Sequence, residues 1–267
     1  MLKNRKSGIL LHISSLPGKY GIGDLGDQAY QFIDKLEQMG QEYWQILPTN
    51  EPNGSNSPYD TSSAFAQNPM FISLESLLSD SLLEDIDFND IINLESSKID
   101  FDRLKKWKSP LLFKAAKTFQ KKHKHKQNND FKIFCKMNKH WLDSYAAYKV
   151  LKGINNDLPW FQWDDDCKRY NTGVIDRTLQ DEIEKIEIIK IIQYFFNKQW
   201  HSLKNYANEK NISLIGDLPI YISHDSADVW ANQHLFKLDD DGEMVVKSGC
   251  PPDYFMEQGQ VWGHPIY

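Results

Sequence analysis

The chain has 267 residues, 40% of them hydrophobic and 25% charged, which at about 150 residues per domain makes one or two globular domains with a sizeable core rather than a disordered chain. Its 31 Lys and Arg against 37 Asp and Glu give a net charge of −6. Such a chain has no long-range attraction for phosphate backbones or anionic lipid, so neither nucleic acid nor a membrane surface is expected as a partner.

Gly8-Ile9-Leu10-Leu11-His12-Ile13-Ser14, closed by Leu16-Pro17-Gly18, reads as a buried strand and a loop. A helix then starts at Asp24 to Gly26. Ala29, Phe32, Ile33 and Leu36 follow the i, i+3, i+4, i+7 spacing, and Gly40 suits the stop. Tyr43 to Leu47, ended by Pro48, predicts a second strand, and strand–helix–strand implies a parallel sheet. Thr49 to Pro58 is a loop rich in Asn, Gly, Ser and Pro. Residues 75–210 read as mostly helical: Trp141, Tyr145 and Tyr148 share one face, and Ile188, Ile192, Phe195, Leu203 and Tyr206 form another stripe. Asp80 to Lys108 is charged and weakly periodic, as a surface segment would be. Lys121 to Lys126 is a basic run read as a solvated helix end. Ile212 to Pro219 returns to strand character, and Asp239 to Tyr267 reads as loop. Three parallel strands and a long helical insertion predict an α/β chain, too short in strands to close an eight-stranded barrel.

Three places carry candidate chemistry. Ser57-Pro58-Tyr59-Asp60 sets a tyrosine beside a rigid proline among hydroxyls, either an aromatic platform or a turn with a packed Tyr. Asp217, in Gly216-Asp217-Leu218-Pro219, sits at the C-terminal end of a parallel strand, where ligands bind in such sheets; a helix cap or an ion pair is the alternative. Gly249 to Phe255 and Gly259 to Pro265 join stiff prolines and permissive glycines to the faces of Tyr254, Phe255 and Trp262. A long aromatic loop must justify its ordering entropy, which favours a function. Aromatics reach 13% of the chain, and their faces suit sugar stacking and cores equally. Cys135, Cys167 and Cys250 show no C-x-x-C spacing, and the histidines no metal spacing. The expectation is a reducing, cytoplasmic setting without metal, cofactor or disulfide framework. The N-terminus shows no secretory h-region, since Ile9-Leu10-Leu11 is interrupted at His12.

Taken in order, these motifs resemble the 4-α-glucanotransferases of glycoside hydrolase family 77 (amylomaltase, or disproportionating enzyme). Ser57-Pro58-Tyr59 through Ser63-Ala64-Phe65-Ala66 and Asn68-Pro69 is similar to the family's first glucan-binding loop. Tyr194-Phe195-Phe196, Gln199-Trp200, Ile215 to Ile220 and Asp225-Ser226-Ala227-Asp228-Val229-Trp230 resemble its central signature. Gly249 to Phe255 and Gly259 to Gly263 resemble its flexible lid.

The resemblance implies the N-terminal part of a (β/α)8 TIM barrel, about three strands long, with a large helical insertion after the second. Residues 1–70 would hold strands one and two with the first glucan-binding loop, 71–210 the helical insertion, and 211–267 strand three and the aromatic lid. The implied activity is transfer of α-1,4-glucan segments between maltooligosaccharides, starch or glycogen chains by a retaining, cofactor-free mechanism. The implied substrate-binding residues are Ser57, Tyr59, Asp217, Pro219, Asp253, Tyr254, Phe255 and Trp262, with Asp217 a supporting carboxylate. No residue matches the family's Arg-x-Asp-His nucleophile motif, and no aromatic occupies Asn53-Gly54-Ser55. The chain alone is therefore expected to lack the attacking and proton-transfer carboxylates and to need a C-terminal half, covalent or separate. An inactive glucan-binding remnant of a split gene is the alternative. An α-amylase-type hydrolase fits the lid and the Gly-Asp-Leu-Pro-Ile stretch less well.

Overall fold

The structure, a computed structural model, describes residues 5–88, 98–123 and 128–267. Its elements begin with β1 (Gly8–Leu10), α1 (Asp27–Gln38), β2 (Tyr43–Gln45), α2 (Leu74–Ser79) and α3 (Phe101–His123). There follow α4 (Asn129–Met137), α5 (Lys139–Ile154), α6 (Asp165–Lys168), α7 (Thr172–Thr178) and α8 (Ile183–Glu209). The remainder is β3 (Ser213–Ile215), α9 (Ala227–Ala231), β4 (Lys247–Cys250) and β5 (Gln260–Pro265). They sort into two compact units. One is Met1–Thr49, Gln67–Phe134 and Ile191–Asp217; the other is Asn50–Ala66, Cys135–Lys190 and Leu218–Tyr267.

The first unit holds a parallel sheet in the order β1-β2-β3, reached through α1 and then through the long run α2 to α8. This is the expected α/β arrangement. The helix α1 buries Ala29, Ile33 and Leu36, the stripe its spacing predicts. Phe32 packs edge-on against Trp44, with ring centroids 5.0 Å apart. Trp44 is wholly buried and its indole N–H donates to Leu11 O at 2.7 Å, so the polar end of a core residue is paired. The first strand is shorter than its apolar run. It ends at Leu10, and Ile13–Ser15 forms a 3-10 turn. There the chain doubles back so tightly that a Cβ on Gly18 would stand 1.7 Å from Ile22 O. β1 and β3 are the sheet's edges, and Leu10 and Ile215 are exposed.

The surface reading of 80–108 needs correction at Leu82 and Leu83, which are buried, and where it enters α3, while its part at 89–97 lies outside the described residues. Leu104, Trp107 and Lys108 are buried. The Lys108 ammonium donates to Met70 O at 2.8 Å and lies 3.9 Å from Asp24. Burial lowers the Lys108 pKa and raises that of Asp24. Of the basic run, Lys121 to His123 end α3, and Lys122 donates to Ser81 O at 2.7 Å; Lys124 to Lys126 lie outside the described residues. The α8 stripe is buried at Phe195 and Leu203. Two buried glutamines on that helix grip backbone. Gln193 accepts from Gln67 N at 2.8 Å and donates to Gln67 O at 2.9 Å; Gln199 does the same to Ser73, at 2.7 and 3.1 Å.

The second unit is built around aromatics. Trp160, Trp163, Trp230, Tyr145 and Tyr148 are buried. Each indole N–H has a carbonyl partner: His224 O for Trp160, Leu158 O for Trp163 and Cys167 O for Trp230. These rings are core, one of the two uses that the composition left open. The tail expected to be loop is instead an antiparallel hairpin of β4 and β5. The glycines that suggested a loop serve the hairpin. A Cβ on Gly249 would meet Gln260 O at 2.3 Å, and Gly259 and Gly263 have φ of 71° and 77°.

Candidate functional site

The loop 50–66 carries Ser57 and Tyr59. Its stem is pinned by bonds between Asn53 N and Asp60 O at 2.7 Å, and between Ser62 N and Glu51 O at 3.1 Å. At the tip, Asp60 N donates to Ser57 O at 3.1 Å, and Tyr59 N donates to the Ser57 hydroxyl at 3.3 Å. Ser57 thus shapes the turn. Tyr59 stands 44% exposed.

The Tyr59 loop is fastened to the rest of its unit by carboxylates. Glu51 accepts from the Tyr145 hydroxyl at 2.5 Å, the Lys149 ammonium at 3.0 Å and the Ser62 hydroxyl at 3.2 Å. Burial opposes its charge, but Lys149, Tyr145 and Ser62 together outweigh that and hold the Glu51 carboxyl below its ordinary pKa. Asp225 accepts from the Tyr148 hydroxyl at 2.7 Å, the Lys152 ammonium at 2.6 Å and Trp160 N at 3.2 Å. Its own carbonyl takes the Asn53 amide at 2.9 Å. Asp60 takes the hydroxyls of Ser55 and Ser223. Asp228 takes Ala64 N at 3.1 Å, and Ala227 N donates to Ser62 O at 2.9 Å. The segment Asp225 to Asp228 therefore anchors this loop, and Ser226 also caps α9 by accepting Val229 N. Both phenols, Tyr145 and Tyr148, have raised pKa values, from burial first and then from the adjoining carboxylates.

Asp217 is exposed and ends the first unit, two residues beyond β3; Pro219, in the second, is buried. In the aromatic segment, Asp253 is used by its own turn. Its carboxylate accepts Phe255 N at 3.0 Å and Met256 N at 2.8 Å, and Asp253 N donates to Met256 O at 3.1 Å. This turn holds up Tyr254 and Phe255, 97% and 90% exposed. Trp262, on β5, is half exposed, with its ring centroid 6.2 Å from that of Tyr221.

Sequence reasoning singled out the tips of these segments, quoted Asp60 and Asp225 within motifs without giving them a role, and missed the anchors Glu51, Lys149 and Lys152. One signal was present: Tyr145/Lys149 and Tyr148/Lys152 repeat the same i, i+4 spacing on one helix. Among the described residues no three His, Cys, Asp or Glu side chains form a metal-binding group, and no helix is long and apolar enough to cross a membrane.

The chain resembles known proteins along nearly its whole length. The family model Glyco_hydro_77, 4-alpha-glucanotransferase, matches residues 11–267. The 4-alpha-glucanotransferase of Streptococcus pneumoniae is 42% identical over 100% of this chain and 52% of its own length. The chloroplastic/amyloplastic 4-alpha-glucanotransferase of Solanum tuberosum is 37% identical over 98% of this chain and 46% of its own length. The solved amylomaltase of Streptococcus agalactiae, in complex with acarbose, superposes with a TM-score of 0.93 at 37% identity, covering 99% of this chain and 53% of that one. The chain thus spans about half the length of the curated relatives it matches. With the match running through the Tyr59 loop, the Asp225 to Asp228 segment and the aromatic hairpin alike, the chain belongs to the 4-alpha-glucanotransferases of glycoside hydrolase family 77.

Proposed function

We propose that this chain is the glucan-binding part of an enzyme that transfers α-1,4-glucan segments from one maltooligosaccharide, starch or glycogen chain to the 4-hydroxyl of another, with retention at the anomeric carbon. The observation that carries the reading is Tyr59, a half-exposed ring on a loop that carboxylates fasten from its stem to its end. A sugar face stacks well on a ring whose backbone is already held in place. Tyr59 is the platform, with Ser57 shaping its turn. Tyr254, Phe255 and Trp262 supply apolar faces that exclude water, so that an acceptor sugar outcompetes hydrolysis. Asp253 sets the turn that presents the first two. Pro219 stiffens the strand exit that follows Asp217, and Asp217 acts as a supporting carboxylate. None of these residues is assigned the nucleophilic attack or the proton transfer, which fall to the half of the family's length outside this match. The three unpaired cysteines are in keeping with a reducing compartment such as the cytoplasm.

The test incubates maltotriose with the chain alone and with the chain plus the C-terminal half of the Streptococcus pneumoniae relative. Glucose and a ladder of longer maltooligosaccharides in the second sample, but not the first, is the expected result. A ladder from the chain alone overturns the division of labour. No ladder in either sample, with no calorimetric binding of maltoheptaose, overturns the reading altogether.

A further inference from the structure

α5 carries two copies of one device. Tyr145 and Lys149 converge on the two oxygens of Glu51, and Tyr148 and Lys152 converge on those of Asp225. Each carboxylate receives one phenol and one ammonium from residues four apart, the spacing that stacks side chains on one helix face. The two carboxylates belong to segments far apart in sequence. Glu51 opens the Tyr59 loop; Asp225 holds the Asn53 amide through its carbonyl, and its near neighbour Ser223 holds Asp60. One helix face thus fixes the loop at Glu51 directly and at Asn53 and Asp60 by way of residues 223–225. Local stability alone would not need two ion pairs on a 16-residue helix, because replacing such pairs with apolar residues is often neutral or stabilising. What the pairs supply is a defined geometry.

We propose that Glu51 and Asp225, each clipped by a Tyr–Lys pair of α5, are positioning residues that set the Tyr59 ring for the glucan. The inference rests on the reading of Tyr59 as a sugar platform.

The test measures maltoheptaose binding by calorimetry, well below the melting temperature, for the wild-type chain, Tyr59→Ala, Glu51→Gln, Tyr145→Phe and the double variants with Tyr59→Ala. Glu51→Gln is expected to weaken binding about tenfold, as a displaced contact group does, and Tyr145→Phe by about threefold, half of that effect on a logarithmic scale. Both losses should vanish in the Tyr59→Ala background, since the residues act through that ring. A lower melting temperature with unchanged affinity, or losses that add to that of Tyr59→Ala, overturns the positioning role. If Glu51→Gln does not fold, Tyr145→Phe decides alone, because it removes one hydroxyl and keeps the ion pair. If wild type binds but Tyr59→Ala binds equally well, it is the platform reading that fails; if wild type does not bind, both fall.

Discussion

The loop 50–66 is fastened from outside, by α5 through Glu51 and by residues 223–228 through Asn53, Asp60, Ser62 and Ala64. The segment 251–259 is fastened to itself, by the Asp253 carboxylate and the bonds to Met256 O. Both carry aromatics, but Tyr59 is 44% exposed whereas Tyr254 and Phe255 meet edge to face and are otherwise almost bare. A ligand reaching Tyr59 finds a loop whose backbone is already tied down. One reaching Tyr254 and Phe255 must order them, at a cost of about 0.5–1.5 kcal/mol per side chain. The contrast is between a loop tied to its surroundings and a turn tied to itself.

The sharpest way to break that contrast is Asp225→Ala. It strands the Tyr148 hydroxyl and the Lys152 ammonium, both largely buried, and should cost about 2–3 kcal/mol in urea-induced unfolding. A loss below about 0.5 kcal/mol would mean that the loop is as loosely held as the turn. Next in size, Tyr59→Ala should weaken maltoheptaose binding by about 1.4 kcal/mol, a factor of ten. Phe255→Ala should weaken it by less than half of that, because part of its stacking energy is spent on ordering.

Acid separates the two regions more gently. Glu51 is held below its ordinary value of 4.5, so its contribution is fully present above that pH and is lost as the pH falls through the lower folded value. A melting-temperature profile should therefore drop below pH 4.5 in wild type and more shallowly in Glu51→Gln. The smallest effect is expected from Asp253→Ala. It should change global stability by less than about 0.5 kcal/mol, as exposed turns do, yet quicken hydrogen exchange at Phe255 and Met256. Asp253→Asn, which can still accept from both amides, should leave exchange unchanged.

The sheet's first half was legible because it is local. Ala29, Ile33 and Leu36 repeat with the helical period, and Gly40, with φ of 65°, stops α1 where expected. The hairpin was not legible, because Gly249, Gly259 and Gly263 look like loop punctuation until the partner strand that demands them is present. Lys108 misled for a related reason. Nothing in its neighbourhood announces that Met70 O, 38 residues away in sequence, will receive its ammonium. Tyr59, Tyr254 and Phe255 could be chosen from their motifs. Glu51 could not, because its partners Tyr145 and Lys149 lie 94 and 98 residues downstream and a carboxylate in a polar loop carries no periodic signature.

The two glutamines of α8 act as surrogate peptide groups. Each offers one carbonyl and one amide to the N–H and C=O of a single residue, as a neighbouring strand would, and both pairs are separated by the same 126 positions. Helix and segment 67–73 therefore advance in step, like two rulers read against each other. Because the grip is on backbone, it does not itself dictate the side chains between the two marks; burial does that at Met70, Phe71, Ile72, Phe195 and Phe196. What the grip dictates is their number. A single insertion or deletion there would leave one ruler mark facing nothing, so natural variation in this stretch should consist of substitutions, with gaps absent.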